Sequence, residues 1–192
     1  MLDLGRADEG WRRSFAARMS AINGLLDKAV ADLTLAQVNH RERAGVLSLA
    51  FSLAHVVGGQ DRNVGTYLDG GAPLWDAYAA RVGYAGEMPR RGTPMSVAEA
   101  IQFHDVDAWR DYQRAVFART DSALANTPIE KFSGVVISER PADTRGAFLF
   151  ALVPSGSIRL KEVCEAYLFQ HAARHLGEIE HARALVGLGG LS

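Results

Sequence analysis

Apolar side chains recur at steps of three and four along most of this chain, the spacing that gathers one face of an α-helix. From Trp11 to Leu33 the repeat runs through Phe15, Met19, Ile22, Leu25, Leu26, Val30 and Leu33, which predicts a first amphipathic helix packed by one face. Thr34 to Arg43 mixes polar residues without a period and reads as a connection. Ala44 to Asp69 is apolar on most sides and predicts the most buried helix, stopped by Gly70, Gly71 and Pro73. A short helical piece is expected from Trp75 to Val82, before a second break at Pro89, Gly92 and Pro94. Ser96-Val-Ala-Glu99 has the form of a capping box and predicts the start of a third long helix, running to Asn126 through Ile101, Val106, Trp109, Tyr112, Val116, Phe117 and Leu124. Leu160 to Leu188 lacks proline, is rich in Leu, Ala, Glu and Arg, and predicts a fourth.

Thr127 to Ser157 is too long for a simple loop between helices. Its apolar runs, Val135-Val-Ile137 and Phe148 to Val153, are separated by Pro141, Asp143 and Gly146, and predict a short hairpin or a docked lid. Four long helices with this connection predict a single all-α domain spanning residues 1–192, a four-helix bundle. The 192 residues, 48% of them hydrophobic, suffice for one core. Lys and Arg number 21 against 22 Asp and Glu, so the basic footprint of a nucleic-acid binder is missing. One cysteine excludes an intrachain disulfide framework and fits a reducing compartment. The start Met1-Leu-Asp-Leu-Gly-Arg has an acidic residue where a signal peptide would be apolar, and no run of 18 apolar residues follows. The expectation is a soluble, cytoplasmic protein without a membrane partner.

The candidate chemistry lies in His171-Ala-Ala-Arg-His175, two imidazoles one turn apart on a helix face. Leu160, Cys164, Tyr167, Leu168, His171, His175, Ala182 and Leu185 form one stripe at α-helical pitch, with Glu178 on the same side, so the histidines are expected to point inward. Two ligands make half a metal site. His55, in the middle of the most buried helix, is the best third; Gly58 and Gly59 beside it clear space for a close approach. The competing reading is three separately buried, hydrogen-bonded histidines. His40 and His181 fall in polar or off-stripe positions, and His104 is the alternative excluded least firmly.

Other motifs fail on their chemistry. Position 172 is alanine where a zincin needs its general base, and Glu178-Ile-Glu-His181 has no second copy to complete a di-iron site. No phosphate-binding loop or nucleophile elbow occurs. Cys164 is about two turns, roughly 10 Å, from His171, too far to share an ion, and reads as a small core residue.

His55-Val-Val-Gly-Gly-Gln-Asp61-Arg62 and His171-Ala-Ala-Arg-His175-Leu-Gly177-Glu178-Ile179, in this order, with a Trp75-bearing connection and a helix after Pro94, resemble the DinB-like superfamily. The resemblance implies a four-helix bundle with a three-histidine divalent metal site formed by His55, His171 and His175, flanked by Asp61, Arg62 and Gly177. The family includes thiol S-transferases that use mycothiol or bacillithiol and a related maleylpyruvate isomerase. The implied activity is therefore transfer of a low-molecular-weight thiol to an electrophilic substrate, with zinc or nickel, or else iron, as the ion. Glu178 and Arg174 flank the ligands and are the candidate catalytic groups, although Glu178 equally suits an imidazole-orienting role. Arg62 is the candidate contact to a carboxylate of thiol or substrate, with an intramolecular ion pair as the alternative. The segment 127–157 and the glycine-rich second helix depart from the simplest members, which bears on pocket shape. Against an enzyme stands a non-catalytic metal-binding or stress-associated protein with a closed site. A third expectation, a homodimer, would rest on exposed aromatics near Trp109 and Tyr112.

Overall fold

The computed structural model describes residues 4–142 and 147–191. Helix dominates it, in the order α1 (Leu4–Ala31), α2 (Leu35–Val38), α3 (Leu49–Val64) continued by a π-helical turn (Gly65–Asp69), α4 (Trp75–Val82), α5 (Met95–Glu99), α6 (Val106–Asn126), a 3-10 turn (Ile129–Ser133), and α7 (Phe148–Leu152). The last helical run is α8 (Leu160–Val163), a π-helical segment (Cys164–Gln170) and α9 (His171–Leu185). The fold is all-α, as expected. Helices α1 and α3 each pack against both α6 and α9, and α4 lies along α6. Their facing sides share one core, with Phe15, Met19 and Leu26 from α1, Leu53 and Val57 from α3, and Trp109 and Val116 from α6. No helix among the described residues is long and apolar enough to cross a membrane.

Several boundaries differ from the periodicity, each for a local reason. Gly45 takes a left-handed φ of 79°, which no helix interior accepts, so α3 starts at Leu49 rather than near Ala44. Ser48 caps it by accepting from the Phe51 N–H. The third long helix does not begin at Ser96. Met95–Glu99 is a separate turn, the chain leaves it at Ala100, and Asp105 caps α6 by accepting from the Ala108 N–H at 2.9 Å. Ile101 and Phe103 are buried from extended backbone, because the Asn39 amide bonds both the N–H and the C=O of Phe103. Their apolar character carries no record of that arrangement.

The segment after α6 is also rebuilt. Val135–Ile137 (β1) pairs antiparallel with Ile158–Arg159 (β2), not with Phe148 to Val153, which instead contains α7. The predicted hairpin is therefore wrong in its partner. Its docking is right: Leu149, Ile158, Val163 and Ala166 form a small apolar cluster of their own. Asp143 and Gly146, the expected separators, lie outside the described residues.

In the last helical run the expected stripe holds through Leu168 and at His175, and past the π-helical segment the buried face also takes in a neighbouring row. Buried positions continue through Ala172, Leu176, Ile179 and Arg183, while Leu185 is exposed. The π-helical turns take up one more residue per turn than α-turns, so the inward face moves round by roughly one residue. Trp109 and Tyr112 are fully buried, which removes the aromatic surface a homodimer was to use. Cys164 is buried in the core, and burial pushes its thiol up to about 12. It is expected to be inert to Ellman's reagent in the folded protein and to react fully in denaturant. Prompt modification without denaturant would contradict its placement.

Beside the π-turn that ends α3, Asp61 anchors three elements. Its carboxylate accepts from the Leu74 and Trp75 N–H groups at the start of α4, from the Tyr112 hydroxyl, and from Arg119 on α6. Arg119 also donates to both carboxylate oxygens of Asp69 and to the Ala72 carbonyl. Burial pushes the Asp61 carboxyl above its ordinary value against the pull of these donors.

Candidate metal centre

The middle of α3 and the first turn of α9 face one another, and this brings His55, His171 and His175 together. One ring nitrogen from each lies within 4.8 Å of the others. The Nε2 atoms of His55 and His171 are 3.2 Å apart. Two of the rings are held from outside. His55 Nδ1 is 3.3 Å from the Pro89 carbonyl, and His175 Nδ1 is 2.6 Å from Glu178 Oε2. A ring that donates its Nδ1–H outward keeps Nε2 as a free lone pair, the tautomer a metal needs.

Both glycines on α3 have a spatial reason. A Cβ at Gly59 would lie 3.1 Å from His171 Cε1, so the bare backbone gives that imidazole room. At Gly58 a Cβ would meet Met88 Cγ at 2.6 Å. Gly58 thus lets the chain around Met88 cross close enough for the Pro89 carbonyl to reach His55. The expectation that the pair marks a space requirement holds, with two different occupants.

Burial, and then the neighbouring imidazoles and the Arg174 and Arg62 charges, push His171 down to about 3. His55 is lowered chiefly by burial and next by His175. Both are neutral at physiological pH and offer lone pairs rather than protons. Neutral imidazoles with oriented outer nitrogens fit a divalent ion that keeps open coordination positions, and this group could hold one. A cavity of about 540 Å³ adjoins them, its wall including Arg62, Arg91, Arg174, Tyr167 and Phe148. The histidines border this cavity, and Ala147 and Phe148 of the connection after α6 contribute to its wall.

The other predicted residues divide. Arg174 lines the cavity with its Nε 3.6 Å from Glu178 Oε1, and Glu178 acts on the His175 ring, as one of its two expected roles. Arg62 lines the cavity too. Asp61 does not flank the histidines, being engaged with α4 and α6, and Gly177 is exposed with nothing near it. His40, His104 and His181 are exposed. No other group of His, Cys, Asp and Glu suited to a metal occurs among the described residues, so the Glu178/His181 pair gains no di-iron partners. Sequence reasoning missed the Pro89 carbonyl, which has no side-chain signature, and Arg91 and Phe148, which only the folded connections bring to the cavity.

No family model and no curated protein matches the chain. Among solved structures, it is similar to the conserved protein of locus from Enterococcus faecalis, with a TM-score of 0.71 over 91% of this chain and 95% of that one, at 17% identity. The likeness is one of fold. It supports the order and packing of the helices that carry the three histidines and assigns them no chemistry.

The Glu178 contact gives a direct expectation. Glu178→Gln keeps a side chain near His175 but removes the charge, and Glu178→Ala removes the acceptor altogether. Added divalent metal should bind about 10–100-fold more weakly to the alanine variant and less weakened to the glutamine variant. Competition titration with a chromophoric chelator checks this, and equal affinity in all three proteins would remove Glu178 from the site.

Proposed function

We propose that this chain is a DinB-like four-helix bundle that holds one divalent ion through His55, His171 and His175 and transfers a low-molecular-weight thiol to an electrophilic substrate. The observation that supports it is the trio of imidazoles at the side of a cavity large enough for a small-molecule ligand. A divalent ion bound there would supply Lewis acidity, so that a coordinated thiol is a thiolate at neutral pH. Zinc or nickel is the proposed ion, with iron also compatible with imidazole donors.

The chain's own contributions are positional. Glu178 and the Pro89 carbonyl fix two imidazole rings, and Gly59 leaves space for the third. Arg174, at the cavity wall, is placed to stabilise negative charge on a reacting group. Tyr167 and Phe148 give the cavity an apolar side. The test is thioether formation from monochlorobimane with mycothiol, bacillithiol, glutathione or cysteine, by metal-loaded protein. Acceleration with one thiol that is lost in His171→Ala supports the reading. No acceleration with any thiol by protein shown to carry metal would overturn the transferase assignment.

A further inference from the structure

The cavity wall is charged on one side only. Arg62, Arg91 and Arg174 all line it, and no aspartate or glutamate among the described residues does.

Arg62 is the informative member. It is half-buried on α3, one residue after the Asp61 anchor, and no carboxylate forms an ion pair with it among the described residues. The acidic groups near it are committed elsewhere. Asp61 is held by Arg119, Tyr112 and two backbone N–H groups, and Glu87 is largely exposed and pairs with Arg90 at 3.6 Å. Burial and the like charge of Arg90 both disfavour the Arg62 guanidinium as it stands. A second cavity, whose lining includes Trp75, Tyr112, Asp61, Asp76 and Glu87, also borders Arg62. A partly desolvated cation without a carboxylate is costly unless an anion arrives to complete it.

We infer that the cavity takes a ligand bearing a carboxylate or phosphate group on an apolar body, with the anionic oxygens received by the fork of Arg62. The planar guanidinium offers paired donors matched to either group, and Tyr167 and Phe148 face the apolar remainder. This names the substrate class for the proposed function and rests on the reading of that cavity as the substrate site, but not on the metal or on thiol transfer.

The experiment compares phenylacetate, phenyl phosphate and the neutral phenylacetamide by isothermal titration calorimetry on the full chain, both as purified and after chelation. At least one of the two anions is expected to bind about tenfold or more tightly than the amide in both states, and to weaken as ionic strength rises. Which anion wins assigns carboxylate or phosphate as the natural group. Arg62→Gln should abolish the preference while circular dichroism and melting stay as in wild type. Should that variant fail to fold, Arg62→Lys keeps the charge, loses the fork, and should still weaken the preferred anion severalfold. Equal binding of anion and amide, absence of anion binding, or an unchanged preference in the folded variant would overturn the inference. So would a preference that disappears on chelation, which would place the anion on a metal. Anion binding that persists in a protein with no thiol-transfer activity would refute only the transferase reading.

Discussion

His55→Ala is expected to abolish stoichiometric uptake of divalent metal while leaving the helical content of the chain intact. His55 is the one histidine of the trio on α3, and its loss leaves two imidazoles from adjacent turns of one helix. Two imidazole donors four residues apart do not retain zinc or nickel against a competing chelator as three do. The loss should exceed the roughly 10–100-fold that removal of a hydrogen-bonding partner causes. Elemental analysis of tag-free protein after metal addition and gel filtration measures it. About one ion per chain in wild type, absent in the variant, is the expected result. A folded wild type that takes up neither zinc nor nickel would end the metal reading and leave three partly buried histidines beside one another.

A larger effect on the fold itself is expected at Asp61. Replacing it with alanine strips the N–H groups of Leu74 and Trp75 of their acceptor and leaves the Tyr112 hydroxyl without one. It also deprives the largely buried Arg119 of one of its two carboxylates, with Asp69 remaining. Breaking a buried pair from one side costs about 3–5 kcal/mol. Urea denaturation of Asp61→Ala against wild type should show a loss in that range, with α4 loosened first. A change below about 1 kcal/mol would show the network to be no more than a surface ion pair in its energetics. Because Asp61 does not reach the histidines, metal binding at low denaturant should survive in whatever fraction remains folded.

These two sites show what the sequence could and could not carry. The histidine trio was legible because burial, the four-residue spacing and the two glycines are all local signals that converge on one place. Asp61 and Arg62 stand next to each other in the chain, and both looked like flanks of that place. Successive residues on a helix point about 100° apart, and only the packed neighbours decide which of them faces the cavity. Arg119, which takes Asp61 away, is 58 residues further on and has no motif. The connection from Thr127 to Ser157 was harder for another reason. Phe148 to Val153 has the composition of a strand, but the β1 edge is taken by Ile158–Arg159, and the earlier run packs as a short helix instead. Composition states what a segment prefers, and the available edge decides what it becomes.

The π-helical segment ahead of His171 has a genetic reading. Each wide turn holds one more residue than the regular helix would, as if a codon had been added between Cys164 and Gln170 and the strain absorbed without breaking the rod. A descendant that lost that codon would recover a regular helix over the same arc, with everything downstream facing as it does here. Both histidines of α9 would keep facing His55, so this segment is where the lineage can gain or lose one residue without turning the trio apart.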